Sequence, residues 1–284
     1  MTARLQGVFG FLQMAVILGR LRNCWCFRSI RKKEEIQLIY ITGDCHGDYR
    51  RFSTEIFPEQ KKMTREDFVI VCGDFGYWDR SPEQEWWRKW LAEKPFTLLW
   101  VDGNHENYDM LAELPVEEWH GGKVQYIGEN VIHLMRGQVY ELEGCRLFAF
   151  GGARSHDIHD GILDPDEPDF KERYQALRRA GAWFRVNHVS WWKEEMPNAE
   201  EFEEGRKNLE RAGWQVDFIV THCTASSTQA LAGGLLYHPD ALTDYLEEIR
   251  QKCQYQRWFF GHYHDDRNVT ERDLMLYEQI IRIR

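Results

Sequence analysis

Five short clusters of residues able to bind metal or move protons punctuate the chain. They read G-D-C-H-G-D (43–48), G-D-F-G-Y-W-D-R (73–80), G-N-H-E (103–106), T-H-C (221–223) and G-H-Y-H (261–264). Carboxylates, imidazoles and an amide oxygen are all present, the donor types of a mixed oxygen and nitrogen site for a divalent transition metal. In an alternating loop Asp44 and His46 project to the same side, so one segment can supply two donors to one ion. His262 and His264 repeat that spacing. Any one of these pairs is more often an ordinary loop feature. The weight lies in their succession along one chain.

Short apolar runs lead into each cluster. Residues 36–42, 68–72, 96–101, 216–221 and 257–260 read as buried strands, and amphipathic stretches follow them in the alternation of βα units. In open α/β sheets the ligand crevice lies outside the carboxyl ends of the strands, so five such ends can build one site. Residues 81–92, 198–212 and 239–253 read as helices, with Pro82 suited to a first turn. Residues 131–135, 138–142 and 145–150 read as a meander, with turns at Arg136-Gly137 and Glu143-Gly144. Residues 274–283 add further strand. The expected fold is α/β, a four-layer α/β/β/α sandwich with two mixed sheets packed face to face and the site at strand carboxyl ends. Residues 154–197, rich in His, Asp, Arg and Trp, form the least regular part and read as an insertion over that site.

The chain has 284 residues, 43% hydrophobic and 29% charged, the balance of a soluble globular protein rather than a disordered or membrane one. Its net charge is −10, and no dense basic run follows the N-terminal segment, so long nucleic acid is disfavoured as a partner. Seven cysteines without framework spacing fit a reducing, cytoplasmic setting. Cys45, Cys72 and Cys223 beside the clusters read as small buried hydrophobes, and the pairs Trp86-Trp87 and Trp191-Trp192 as packing residues. Residues 1–35 form a separate extension, apolar and then basic. It is too short for a comfortable membrane span of about 20 apolar residues, which leaves a weak surface anchor, a packed helix or non-native sequence. No firm membrane association follows from it. The domain proper is 36–284.

At the five clusters the sequence resembles the calcineurin-like metallophosphoesterases, whose signature is D-x-H, G-D, G-N-H-[DE], H and G-H-x-H in this order. The resemblance spans about residues 38–268. It implies two divalent ions, with manganese preferred and iron, zinc or nickel also suited. Asp44, His46 and His264 would bind one, Asn104, His222 and His262 the other, and Asp74 both. It further implies hydrolysis of a phosphate ester by a metal-bound hydroxide, with His105 contacting the phosphate and protonating the leaving oxygen.

The motifs are specific for the family and unspecific for substrate. The protein Ser/Thr phosphatase branch has G-D-x-x-D-R-G, whereas here Asp79-Arg80 comes two residues later and Ser81 follows. Asp79 remains a candidate to orient His105, and Arg80 a candidate phosphate contact. Gly151-Gly152-Ala153-Arg154-Ser155-His156-Asp157 resembles a loop near the metals of small bacterial and phage members. Arg154 is therefore a second candidate phosphate contact, ahead of His156 and His159. The favoured activity is a phosphatase acting on a phosphorylated small molecule or phosphoprotein. A phosphodiesterase or nuclease of the same fold comes next, then a non-catalytic protein-binding scaffold. Oligomeric state is not legible.

Overall fold

The computed structural model describes residues 37–233 and 237–284; the expectation for residues 1–35 lies outside them. In chain order the strands are β1 (Ile39–Thr42), β2 (Phe68–Val71), β3 (Thr97–Trp100), β4 (Glu117–Trp119), β5 (Gly122–Gly128), β6 (Val131–Leu134), β7 (Gln138–Leu142) and β8 (Cys145–Phe150). Then come β9 (Ile162–Leu163), β10 (Arg185–Val186), β11 (Phe218–Thr221), β12 (Arg257–Phe260), β13 (Arg267–Asn268), β14 (Asp273–Met275) and β15 (Ile281–Arg282). The α-helices are α1 (Pro82–Ala92), α2 (Tyr108–Ala112), α3 (Phe170–Ala180), α4 (Ala199–Arg211), α5 (Ser226–Gly233) and α6 (Ala241–Lys252).

The strands form a seven-stranded sheet in the order β15-β1-β2-β3-β6-β5-β4 and a six-stranded sheet in the order β13-β14-β12-β11-β8-β7. Both mix parallel and antiparallel pairs. Alternate residues of each strand serve two cores. Ile39, Ile41, Ile70 and Leu99 from one sheet meet Leu147, Phe218, Val220 and Phe259 from the other. Tyr40, Val69, Val71 and Trp100 face outward onto a layer with Leu91 of α1 and Met110 of α2. Ile219 and Trp258 face Leu209 of α4 and Leu246 and Ile249 of α6. Strands buried on both faces read as unbroken apolar runs, which is why β1, β2, β3 and β11 were recognisable. The result is the four-layer sandwich expected.

Local chemistry sets the helix starts. Ser81 accepts from the Gln84 amide ahead of Pro82. Asn198 with Glu201, and Asp240 with Thr243, close reciprocal capping boxes. The Glu143-Gly144 turn also forms as read, with φ 47° and 75°, and joins β7 to β8 as an antiparallel hairpin.

One expectation is corrected. β6 and β7 are not neighbours in a meander, because β6 lies between β3 and β5 in one sheet and β7 edges the other. Arg136-Gly137 carries the chain across. The Arg136 guanidinium is buried and donates to Asp102 at 2.5–2.8 Å. Gly137 lies against α4, where a Cβ would come within 2.7 Å of the Gly205 amide nitrogen. The 154–197 segment also holds more structure than expected, with β9 paired to β10 and the helix α3. Among the described residues no helix is long and apolar enough to cross a membrane, and Cys45, Cys72, Cys145, Cys223 and Cys253 are free thiols.

Candidate metal centre

The five clusters follow β1, β2, β3, β11 and β12, so three come from one sheet and two from the other. They meet at the seam between the sheets. His46, Asp74, His262 and His264 all have positive φ, between 44° and 68°, a conformation that costs about 1–3 kcal/mol per residue and concentrates at functional sites. Two glycines make the convergence possible. A Cβ at Gly103 would stand 2.0 Å from Asp74 Oδ1, and one at Gly261 2.0 Å from Asp44 Oδ1, so any larger residue would push a carboxylate out of place.

On one side, donor atoms of Asp44, His46, Asp74 and His264 all lie within 4.8 Å of one another. His264 Nε2 is 3.2 Å from Asp44 Oδ2 and 3.0 Å from His46 Nε2. On the other side, His222 Nε2 lies 3.2 Å from both Asp74 Oδ1 and Asn104 Oδ1. His262 joins this second group, its ring centroid 4.9 Å from that of His222. Asp74 stands between the groups. Two carboxylates, an amide oxygen and four imidazoles at these spacings fit divalent transition ions.

The electrostatics agree with that fit. Burial alone would pull His222 down, but Asp74 and Asp44 outweigh it and lift it to about 10, a proton held where a cation would be. Burial would raise Asp74, yet His222, His105 and His46 hold it far below the carboxylate range. His262 goes the other way: burial, then His222 and His156, depress it well below the usual histidine value. His222 Nδ1 is 2.8 Å from the Cys72 carbonyl. This contact assigns one N–H to Nδ1, so the proton on Nε2, which faces the site, is the one a cation would replace, as ligating histidines are commonly oriented.

His105 is held through its backbone. Its amide donates to Asp74 Oδ1 at 2.8 Å, and its carbonyl accepts from Trp78 Nε1 at 2.8 Å. The ring lines a cleft of about 450 Å³ with His46, Asn104, Arg185 and Trp192. Burial depresses the His105 pKa, offset in part by Asp74.

The peripheral candidates divide. Arg80 is turned to the surface, where it pairs with Glu113, both side chains 60% or more exposed. Asp79 accepts from the Ser81 amide at 2.8 Å and has no contact with His105 among those observed. The two-residue shift of this motif thus carries both side chains onto the turn before α1. Arg154 is exposed in the loop after β8, and its charge adds to the burial that depresses His156. Cys45, Cys72 and Cys223 are buried as read, and burial pushes the Cys45 thiol up to about 12.

Several working residues escaped the sequence reading. Glu106 is fully buried and accepts the amides of Phe75, Gly76 and Tyr77 at 2.6, 3.1 and 2.9 Å. That loop in turn holds the next one, because the Asp74 carbonyl accepts from the Cys45 and His46 amides at 3.0 and 2.7 Å. Glu106 lay within the motif, but only the fold shows its partners. Arg51 donates to the carbonyls of Asp44 and Tyr277 at 2.5 Å each. Ser155 donates to Glu195 at 2.6 Å and lies 3.4 Å from the Asn104 amide nitrogen, which directs the Asn104 oxygen toward His222. His156 Nε2 is 2.8 Å from His262 Nε2, so this histidine reaches the site.

Glu106→Gln is expected to destabilise the metal-stripped protein by about 1–3 kcal/mol, since its NH₂ must face at least one of the three buried amides. Urea unfolding reads this. Stability equal to wild type would show that the 74–77 loop holds itself.

A family profile described as calcineurin-like phosphoesterase matches residues 38–266. The chain belongs to that family. It is 27% identical over 143 residues to lariat debranching enzyme A of Xenopus laevis, covering 44% of this chain and 26% of that one. The Homo sapiens lariat debranching enzyme is 26% identical over 143 residues, with 44% and 25% covered. The alignments thus span about a quarter of the length of these curated relatives. Among solved structures, a 5′-nucleotidase from Candida albicans superposes with a TM-score of 0.35 at 15% identity, covering 84% of this chain and 45% of the other.

Proposed function

We propose that this chain is a metal-dependent phosphodiesterase whose ions are held by Asp44, His46 and His264 on one side, Asn104, His222 and His262 on the other, and Asp74 between them. The observation that carries the reading is the convergence of these seven side chains at one seam with His105 on the cleft beside them. Bound ions would supply Lewis acidity and an acidified water for in-line displacement at phosphorus. Asp74 sets the spacing of the two groups and fixes the His105 backbone. His105 presents its ring to the cleft, where it can hold the phosphoryl oxygen and give a proton to the departing one.

Two considerations favour a diester over the monoester preferred from charge balance. A dianionic monoester calls for extra cationic side chains, and Arg80 is paired with Glu113 at the surface while Arg185, which lines the cleft, is paired with Asp157. The curated relatives are debranching enzymes, which are diesterases. No ligand position has been lost, as a scaffold would be free to do.

The test is hydrolysis of bis(p-nitrophenyl) phosphate and p-nitrophenyl phosphate by protein stripped of metal and reloaded with Mn²⁺. The diester is expected to be favoured in kcat/KM by about ten-fold or more. A preference for the monoester would return the protein to the phosphatases. Tight binding of both ions with neither ester cleaved would favour the scaffold.

A further inference from the structure

A second cavity, of about 920 Å³, is built by the 154–197 insertion. Phe170, Tyr174 and Arg178 of α3 line one side, and Trp183, Phe184 and Arg185 the other. None of the 11 residues of α3 is buried, so its aromatic stripe faces this cavity instead of a core. Phe184 meets Tyr174 edge-on at 5.5 Å, and the Trp183 amide is tied to Asp160 at 2.7 Å. Yet Trp183 is 59% exposed and Val189 64% exposed. Flat rings held in place and left to water are unusual for a monomer surface unless something covers them.

The cavity shares a wall with the metal cleft: Arg185, Val189 and Ser190 line both. Its polar equipment is specific. Arg185 and Asp157 pair on its wall, and Arg178 lines it as well. An occupant suited to this lining offers an aromatic face to the rings, polar edges to the charged groups and an attachment that reaches the metal cleft. A purely apolar peptide or lipid would satisfy the rings alone and leave Asp157, Arg178 and Arg185 desolvated.

We infer that this cavity is a nucleobase subsite, which takes the base of a nucleoside phosphoester whose phosphorus lies at the metal centre. The base stacks on Trp183 or Tyr174, with its polar edge toward Asp157, Arg178 and Arg185. The inference rests on the phosphodiesterase reading and narrows its substrates to those carrying a nucleoside. A cavity for one base also suits a chain whose net charge is −10.

Two measurements on the full chain test it. In saturation-transfer NMR with adenosine 5′-monophosphate, saturation should be strongest on the base protons. Trp183→Ala and Tyr174→Ala should weaken binding about five- to a hundred-fold, the range of a stacked base. In kinetics, the adenosine 5′-(p-nitrophenyl) diester and methyl p-nitrophenyl phosphate share a leaving group, so only the first should lose kcat/KM in these variants. Unchanged binding of the monophosphate in both variants, or equal losses on the two esters, would overturn the subsite. So would a wild-type dimer that Trp183→Ala dissociates, because the rings would then be an interface between copies. Base-centred binding with neither ester cleaved would sustain the subsite and retire the phosphodiesterase reading.

Discussion

Asp74→Asn is expected to abolish turnover and to release both ions. Asp74 Oδ1 lies 3.2 Å from His222 Nε2 and accepts the His105 amide, while Oδ2 faces His46 at 3.8 Å. An asparagine keeps the shape and removes the charge. Whichever way its amide turns, an NH₂ points either at the second ligand group or at the first. Loss of a shared anionic ligand forfeits several kcal/mol of charge stabilisation, so kcat/KM should fall by roughly 10³-fold or more. Metal analysis of the purified variant separates this from a folding defect, for the circular dichroism should remain that of wild type. Two tightly held ions with near wild-type activity would remove Asp74 from the position between them.

His105→Ala is expected to keep both ions and lose about 10² to 10⁴ in turnover, the range of a positioned acid or base. The contacts made by His105 with Asp74 and Trp78 are through its backbone, so removing the ring leaves them in place. The size of the loss should depend on the leaving group. A p-nitrophenolate departs without much help, whereas the alkoxide of a sugar needs a proton as it leaves, so the alkyl diester should suffer more. Equal losses on both would assign His105 to charge stabilisation at phosphorus. Loss of an ion would make its role structural.

How much of this was legible in the sequence depended on whether a feature has a local signature. The buried strands and the helix starts at Ser81, Asn198 and Asp240 do, because burial on two faces and caps leave recognisable runs. The candidate ligands stood out because each follows such a strand. The crossing at Arg136-Gly137 was not legible, since glycine permits a hairpin and a sheet-to-sheet crossing equally. What decides is the buried Asp102 that receives Arg136, 34 residues away in sequence. Glu106, Arg51 and Glu195 were missed for the same reason: their partners are backbone amides, carbonyls or a serine brought near only by the fold. Helix α3 left a readable sign in Gly181, its left-handed cap with φ 64°, after Arg178 and Arg179. The surrounding Asp, Pro and His residues obscured it. Asp79 and Arg80 looked available from their types, and the turn before α1 took them elsewhere.

The seam gives the metal centre a mechanical role as well as a chemical one. β1, β2 and β3 supply four of the seven proposed ligands, and β11 and β12 supply the other three, so ions held between them would rivet one sheet to the other. Whatever free energy binds the ions is then also resistance to parting the sheets, since ligands that bind only the folded state stabilise it in proportion to their affinity. A chain whose backbone is strained at His46, Asp74, His262 and His264 has its weakest geometry at that join. Metal supply would therefore govern how long the protein lasts as well as how fast it works.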